Sequence, residues 1–177
     1  TEYDVCYDAA DHAAIIRLTS GAVGCAPGHE GSVVYDAHGQ YDTGCTACAP
    51  GAYGDGLAAC VSCAAGSMTD KPGAAGGTSC TACGAGQFTA TSAVACASCG
   101  AGSFTGTLAA DGASTCTACP AGEYTAISTA ACSACTAGNE TRDVHGELAG
   151  TGASACTACA AGKFTATSTA ACEDWSR

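Results

Sequence analysis

Large apolar side chains are sparse along most of this chain and recur at a regular place. From residue 45 onward they stand largely alone, at Tyr53, Met68, Phe88, Phe104, Tyr124 and Phe164, each two residues after a glycine and among Ala, Thr, Ser and Gly. No helical spacing links them, and alternation is confined to short runs such as FTAT. The pattern predicts turns and short β-hairpins with two-residue ladders, and little helix. One stretch reads differently: DHAAIIRLTSG at 11–21 is helix-like, with Asp11 as its N-cap and Gly21 as its stop.

These isolated positions mark an internal repeat. Units opening on CTAC start near 45, 80, 116 and 156, and each full unit holds two CxxC pairs. The pairs are Cys45/Cys48, Cys60/Cys63, Cys80/Cys83, Cys96/Cys99, Cys116/Cys119, Cys132/Cys135 and Cys156/Cys159. Three residues after each pair stands a glycine: Gly51, Gly66, Gly86, Gly102, Gly122, Gly138 and Gly162. Glu140 alone breaks the aromatic-or-Met rule two residues further on. Glycine held at one phase predicts a positive φ or a close approach by a neighbouring loop. The aromatic after it is expected to lie over the adjacent bridge as a miniature core.

Composition sharpens this picture. Leu, Ile, Val and Phe total 17 of 177 residues, too few for an ordinary core to offset backbone entropy. The same chain carries 17 cysteines, so its order is expected to come from disulfides, which place it in an oxidising, extracellular or cell-surface setting. The fold expected is a set of small disulfide-rich repeats, an elongated rod of stapled loops with no large hydrophobic core. Residues 25–172 form the tandem array, 1–24 a linker or the end of a preceding module, and 173–177 a tail. The chain opens on acidic residues where a basic leader would lie, and so reads as a mature product or a segment of a longer protein.

The pairing is suggested by the ends of the array. A single Cys25 precedes the first CxxC, with Gly28 at the repeat's phase, and a single Cys172 follows the last. Joining the second Cys of each pair to the first of the next gives Cys25–Cys45, Cys48–Cys60, Cys63–Cys80, Cys83–Cys96, Cys99–Cys116, Cys119–Cys132, Cys135–Cys156 and Cys159–Cys172. The rival, a crossed pattern within two adjacent pairs, leaves one of seven pairs over and strands both singles. Cys6 has no partner in the sequential scheme, which points to an intermolecular bond, a partner upstream or a free thiol.

Charge and motifs narrow the chemistry. A net charge of −11 with five Lys and Arg argues against nucleic-acid binding. The uncharged span 72–110 is too rich in Gly, Thr, Ser and Cys for membrane insertion. Tetrathiolate zinc fits poorly, because the separations between CxxC pairs alternate and one pair is left over. His12, His29, His38 and His145 are scattered, Asp4, Asp8 and Asp11 lack a calcium-loop pattern, and no catalytic motif occurs. No enzymatic activity and no cofactor are therefore expected. One modification signal stands out: Asn139-Glu140-Thr141 is an N-glycosylation sequon on the chain's one Asn, in the longest loop of the array, which is expected to turn outward.

The phrase C-x-x-C-x-A-G-x-[FY]-T, as in CTACPAGEYTAISTAACSAC at 116–135, resembles the ephrin-receptor-like cysteine-rich repeats. It is also similar to CxxC modules of protist surface antigens and, more distantly, to tumour-necrosis-factor-receptor modules, whose CxxCxxC core it lacks. The resemblance implies stapled units stacked in large extracellular proteins, often of algae and protists. It implies a structural glycoprotein of a surface coat or an appendage filament such as a flagellar hair, with copies of itself or other coat proteins as partners. A surface antigen or receptor-like ectodomain is the alternative.

Overall fold

The structure, a computed structural model, describes residues 4–7, 14–17, 23–35 and 41–174, with side chains at 24–32 and 44–174. Eight disulfides join Cys25–Cys45, Cys48–Cys60, Cys63–Cys80, Cys83–Cys96, Cys99–Cys116, Cys119–Cys132, Cys135–Cys156 and Cys159–Cys172. Each bridge closes one loop, and no helix occurs among the described residues. Two compact units divide the chain, one of Thr1–Thr81 with Thr91–Ala95, the other of Ala82–Ala90 with Cys96–Arg177.

Each loop after the first is built on one small antiparallel hairpin, whereas the 25–45 loop carries two, His29–Glu30 with Thr46–Ala47 and Val33–Tyr35 with Tyr41–Thr43. The strand after the phase glycine pairs with the residues between the cysteines of the next CxxC. Thus Ala52–Tyr53 pairs with Val61–Ser62, Gln87–Phe88 with Ala97–Ser98, and Glu123–Tyr124 with Ser133–Ala134. Longer ladders join Ser103–Thr105 to Cys116–Ala118 and Asn139–Arg142 to Ala155–Ala158. The two residues inside CxxC are therefore a return strand. Its backbone groups are satisfied by the hairpin while its cysteines leave toward two different loops. The last loop obeys the same rule, for Glu173–Asp174, in the segment read as a tail, pair with Lys163–Phe164.

At the N-terminal end the helix expected over 11–21 is not formed. Ala14–Arg17 is a strand, paired on one side with Asp4–Tyr7 and on the other with Val23–Cys25. Its β-branched pair, Ile15 and Ile16, suits a central strand, and pairing on both edges overrides the local helical spacing. The proposed caps, Asp11 and Gly21, lie outside the described residues.

Buried positions are small and few. Seven cysteines that stand second in a pair or open the array, from Cys25 to Cys135, are buried, whereas the cysteines to which they are bonded are half-buried or exposed. The large rings take a smaller share than expected: Tyr53, Phe88, Phe104, Tyr124 and Phe164 are all half-buried, as is Met68. The interior is made of bridge sulfurs, Ala52, Ala113, Ala149, Ala153 and, unexpectedly, threonines.

Candidate functional site: the joint between consecutive loops

Chemistry in this chain is repeated at every joint, and it begins with the phase glycine. Gly102 has φ +81°, which turns its carbonyl toward the following CxxC. The amide of Cys119 donates to that oxygen at 2.8 Å. The same bond joins Cys48 to Gly28, Cys63 to Gly51, Cys99 to Gly86, Cys135 to Gly122 and Cys159 to Gly138, at 2.8 to 3.0 Å. Each of these six cysteines is thereby tied to the preceding loop by a hydrogen bond and to the next by a disulfide.

A second contact reaches one loop further. A Cβ placed on Gly102 would run into the carbonyl of Gly152, and one on Gly28 into that of Gly76. On Gly51, Gly86 and Gly122 it would stand 2.7, 2.8 and 3.0 Å from the hydroxyls of Ser92, Ser128 and Ser168. Both readings of the repeated glycine, left-handed backbone and close approach, hold at once for these positions. Gly138 and Gly162 also have positive φ, but nothing lies within 4 Å of their added Cβ.

Sequence reasoning missed the next element. Gly76, Gly112 and Gly152, each four residues before a CTAC, have positive φ. Their amides donate to the carbonyls of Cys48, Cys83 and Cys119 at 2.7 to 2.8 Å. The residue after each forms a parallel bridge with an aromatic: Gly77 with Tyr53, Ala113 with Phe88, Ala153 with Tyr124. The spacing is visible as Gly-x-x-x-Cys in the 63–80, 99–116 and 135–156 loops.

The threonine that stands three residues after the phase glycine in six of the seven CxxC repeats was also overlooked. Thr69, Thr89, Thr105, Thr125, Thr141 and Thr165 are at most 6% exposed. All of their amides but that of Thr165 extend the ladder to the next loop, as from Thr105 to the Ser128 carbonyl at 2.9 Å and from Thr125 to that of Ala153 at 3.1 Å. Hydroxyls satisfy further carbonyls: Thr105 Oγ1 donates to Leu108 O at 2.9 Å, Thr125 Oγ1 to Ile127 O at 2.8 Å and Thr165 Oγ1 to Thr167 O at 2.6 Å. Thr69 differs, its buried Oγ1 having no partner. A small polar residue is thus the seam of the joint, because loops without apolar bulk must satisfy their inward carbonyls with something small.

Glu140 is likewise not turned outward. It is 5% exposed, accepts from the amide of Cys172 at 2.9 Å and pairs with Arg142, whose guanidinium also donates to the Gly146 carbonyl. These partners, Cys172 N–H first, hold its carboxyl below the usual carboxylate range. Glu30 occupies the equivalent place after Gly28 and accepts from the Cys60 amide at 2.7 Å. The break in the aromatic rule is therefore a repeated carboxylate clasp on the cysteine that closes the next loop. Other carboxylates close turns. Asp70 accepts from Thr78 Oγ1 and N, both at 2.7 Å, and Asp143 from Glu147 N and His145 N, so both titrate below their ordinary value.

Gly66 has φ +82° and is buried. Cys6 lies on Asp4–Tyr7 opposite Ile15, its side chain outside the described set. Asn139 is half-buried, its Nδ2 donating to Thr136 Oγ1 at 3.0 Å and Thr136 O at 3.2 Å. Among the described residues no three or more His, Cys, Asp or Glu are grouped to hold a metal ion, and no helix is long and apolar enough to cross a membrane. Three surface grooves of 410 to 540 Å³ are lined largely by small residues and return strands.

Compared with known proteins, residues 86–131 match the family model described as tyrosine-protein kinase ephrin type A/B receptor-like. The match runs from a phase glycine, Gly86, to the threshold of Cys132 and so spans the 99–116 loop with parts of its neighbours. No curated protein matches the chain.

Proposed function

We propose that this chain is a non-enzymatic structural segment of an extracellular protein, a stapled spacer in a cell-surface coat or an appendage filament such as a flagellar hair. The observation that carries this reading is the identity of the joints. Among the described residues the bond from cysteine amide to glycine carbonyl recurs at six CxxC pairs, with ladders to the next loop beside it and mostly small side chains around it. Repetition of one joint builds length at low cost in core, the logic of quasi-one-dimensional arrays. Eight disulfides and the ephrin-receptor-like match of residues 86–131 support an extracellular or secreted setting. Sparse charge over residues 45–171, seven acids and three bases, lets such surfaces pack against copies of themselves or other coat proteins without strong repulsion.

A receptor-like ectodomain is the second reading, favoured by the family description itself. Exposed apolar side chains such as Leu57, Val94, Ile127, Val144 and Leu148 are the contacts it would use. Small-angle scattering and electron microscopy of the secreted chain and of native material decide between them. An extended particle that assembles end to end or side by side is expected. A compact, monodisperse monomer that captures a partner through one loop would overturn the structural reading.

A further inference from the structure

We propose that Asn139 carries an N-linked glycan and that the sugar is attached before the 135–156 and 159–172 loops close. The inference rests on the extracellular reading only in so far as the chain must meet the transferase.

The acceptor sequence is complete, yet in the folded loops its recognition elements are occupied. Thr141, the third residue of the sequon, is 0% exposed. Its hydroxyl lies 2.6 Å from Ala149 O and 3.0 Å from Ser168 O, and its amide donates to Ser168 O at 2.8 Å. Glu140 between them is clasped to the Cys172 amide and to Arg142. The whole tripeptide lies in the strand Asn139–Arg142, which is paired with Ala155–Ala158. An enzyme that reads Asn-x-Thr needs the Thr hydroxyl and an extended, unpaired backbone. Both become available when the Cys135–Cys156 and Cys159–Cys172 loops are open.

Once attached, the sugar fits the finished fold. Asn139 is half-buried, Gly138 beside it has nothing within 4 Å of an added Cβ, and the cross-strand residue Ala158 is exposed. Of the two hydrogens on Nδ2, one is replaced by the sugar. The other suffices for the bond to Thr136 Oγ1 at 3.0 Å. The donor is an oligosaccharide linked through pyrophosphate to a lipid. Asn139 Nδ2 bonds to the sugar C1 as the C1–O bond breaks, the lipid pyrophosphate leaves with the electron pair, and Nδ2 gives up one proton.

Two experiments test this. The chain is secreted from glycosylating eukaryotic cells behind a signal sequence and weighed before and after peptide N-glycosidase treatment. One glycan is expected, absent in Asn139→Gln and kept in Thr141→Ser; an unchanged mass overturns the site. Unglycosylated chain, disulfide-intact or reduced and alkylated, is then given purified oligosaccharyltransferase and lipid-linked oligosaccharide. The reduced form is expected to be modified at least about ten-fold faster, since the intact loops must first open. Equal rates overturn the timing, and modification of neither form overturns the site even if the extracellular reading stands. Asn139→Gln with an unchanged disulfide map serves as the folding control.

Discussion

The amide of Cys119 lies 2.8 Å from the carbonyl oxygen of Gly102, and that carbonyl faces it because Gly102 has φ +81°. The same glycine gives its own amide to Thr125 O at 2.8 Å and leaves no room for a Cβ against Gly152. Gly102→Ala should therefore combine left-handed strain with a backbone collision. Gly162→Ala, where nothing lies within 4 Å, should cost about 1 kcal/mol from φ alone, and Gly102→Ala several-fold more. Denaturant titration with disulfides intact measures both, and equal losses would show that the second-loop contact is absent.

The buried threonines separate hydrogen bonding from mere size. Thr105→Val strips the Leu108 carbonyl of its hydroxyl donor in a site closed to water and should destabilise by about 1–3 kcal/mol. Thr69→Val, at an Oγ1 with no partner, should be neutral or stabilising. A larger loss at Thr69 than at Thr105 would refute the seam described for these residues.

Glu140 makes the last two loops sensitive to acid. Its carboxyl titrates below the ordinary value, so the unfolded state binds the proton more readily and the stabilisation is present above the unfolded pKa of about 4.3. It is lost as the pH falls through the lower, folded value. Hydrogen-exchange protection of the Cys172 amide, corrected for intrinsic rates, should be level above about pH 5 and decline below about pH 4. Glu140→Gln should abolish that step, and an unaltered profile would rule the clasp out.

Peptide mapping without reduction should return the eight sequential bridges. A Cys45–Cys60 or Cys48–Cys63 peptide would contradict them. Replacing Cys83 and Cys96 together by Ser should cost about 3 kcal/mol for a loop of this length. Exchange should rise first at the Cys99 amide, which bonds to Gly86 inside the opened loop.

Much of this was legible because the signals are covalent or steric. Cysteine singles at Cys25 and Cys172 point to one chain of bridges, and the structure joins the same cysteines. A glycine at constant phase announces a backbone that other residues resist. What stayed hidden depends on partners far along the chain. Thr141 reads as a surface residue until Ser168 and Ala149 bring carbonyls to it, and Glu140 reads as an outward charge until Cys172 and Arg142 enclose it. Ile15 and Ile16 sit in a helix-like run whose outcome was decided by strands on both sides.

The order of bridge and CxxC strand has a mechanical consequence. Under tension the force enters at Cys25, crosses a disulfide, runs through two residues and crosses the next, so residues inside the loops never bear load. With Cα–Cα spans of 5.6 to 5.7 Å per bridge, the taut path from Cys25 to Cys172 is roughly 120 Å, about a quarter of the reduced chain's contour. Pulled in oxidising medium, the array should stop short like a strap. Reductant should let it out one loop at a time, in steps set by the length of each loop.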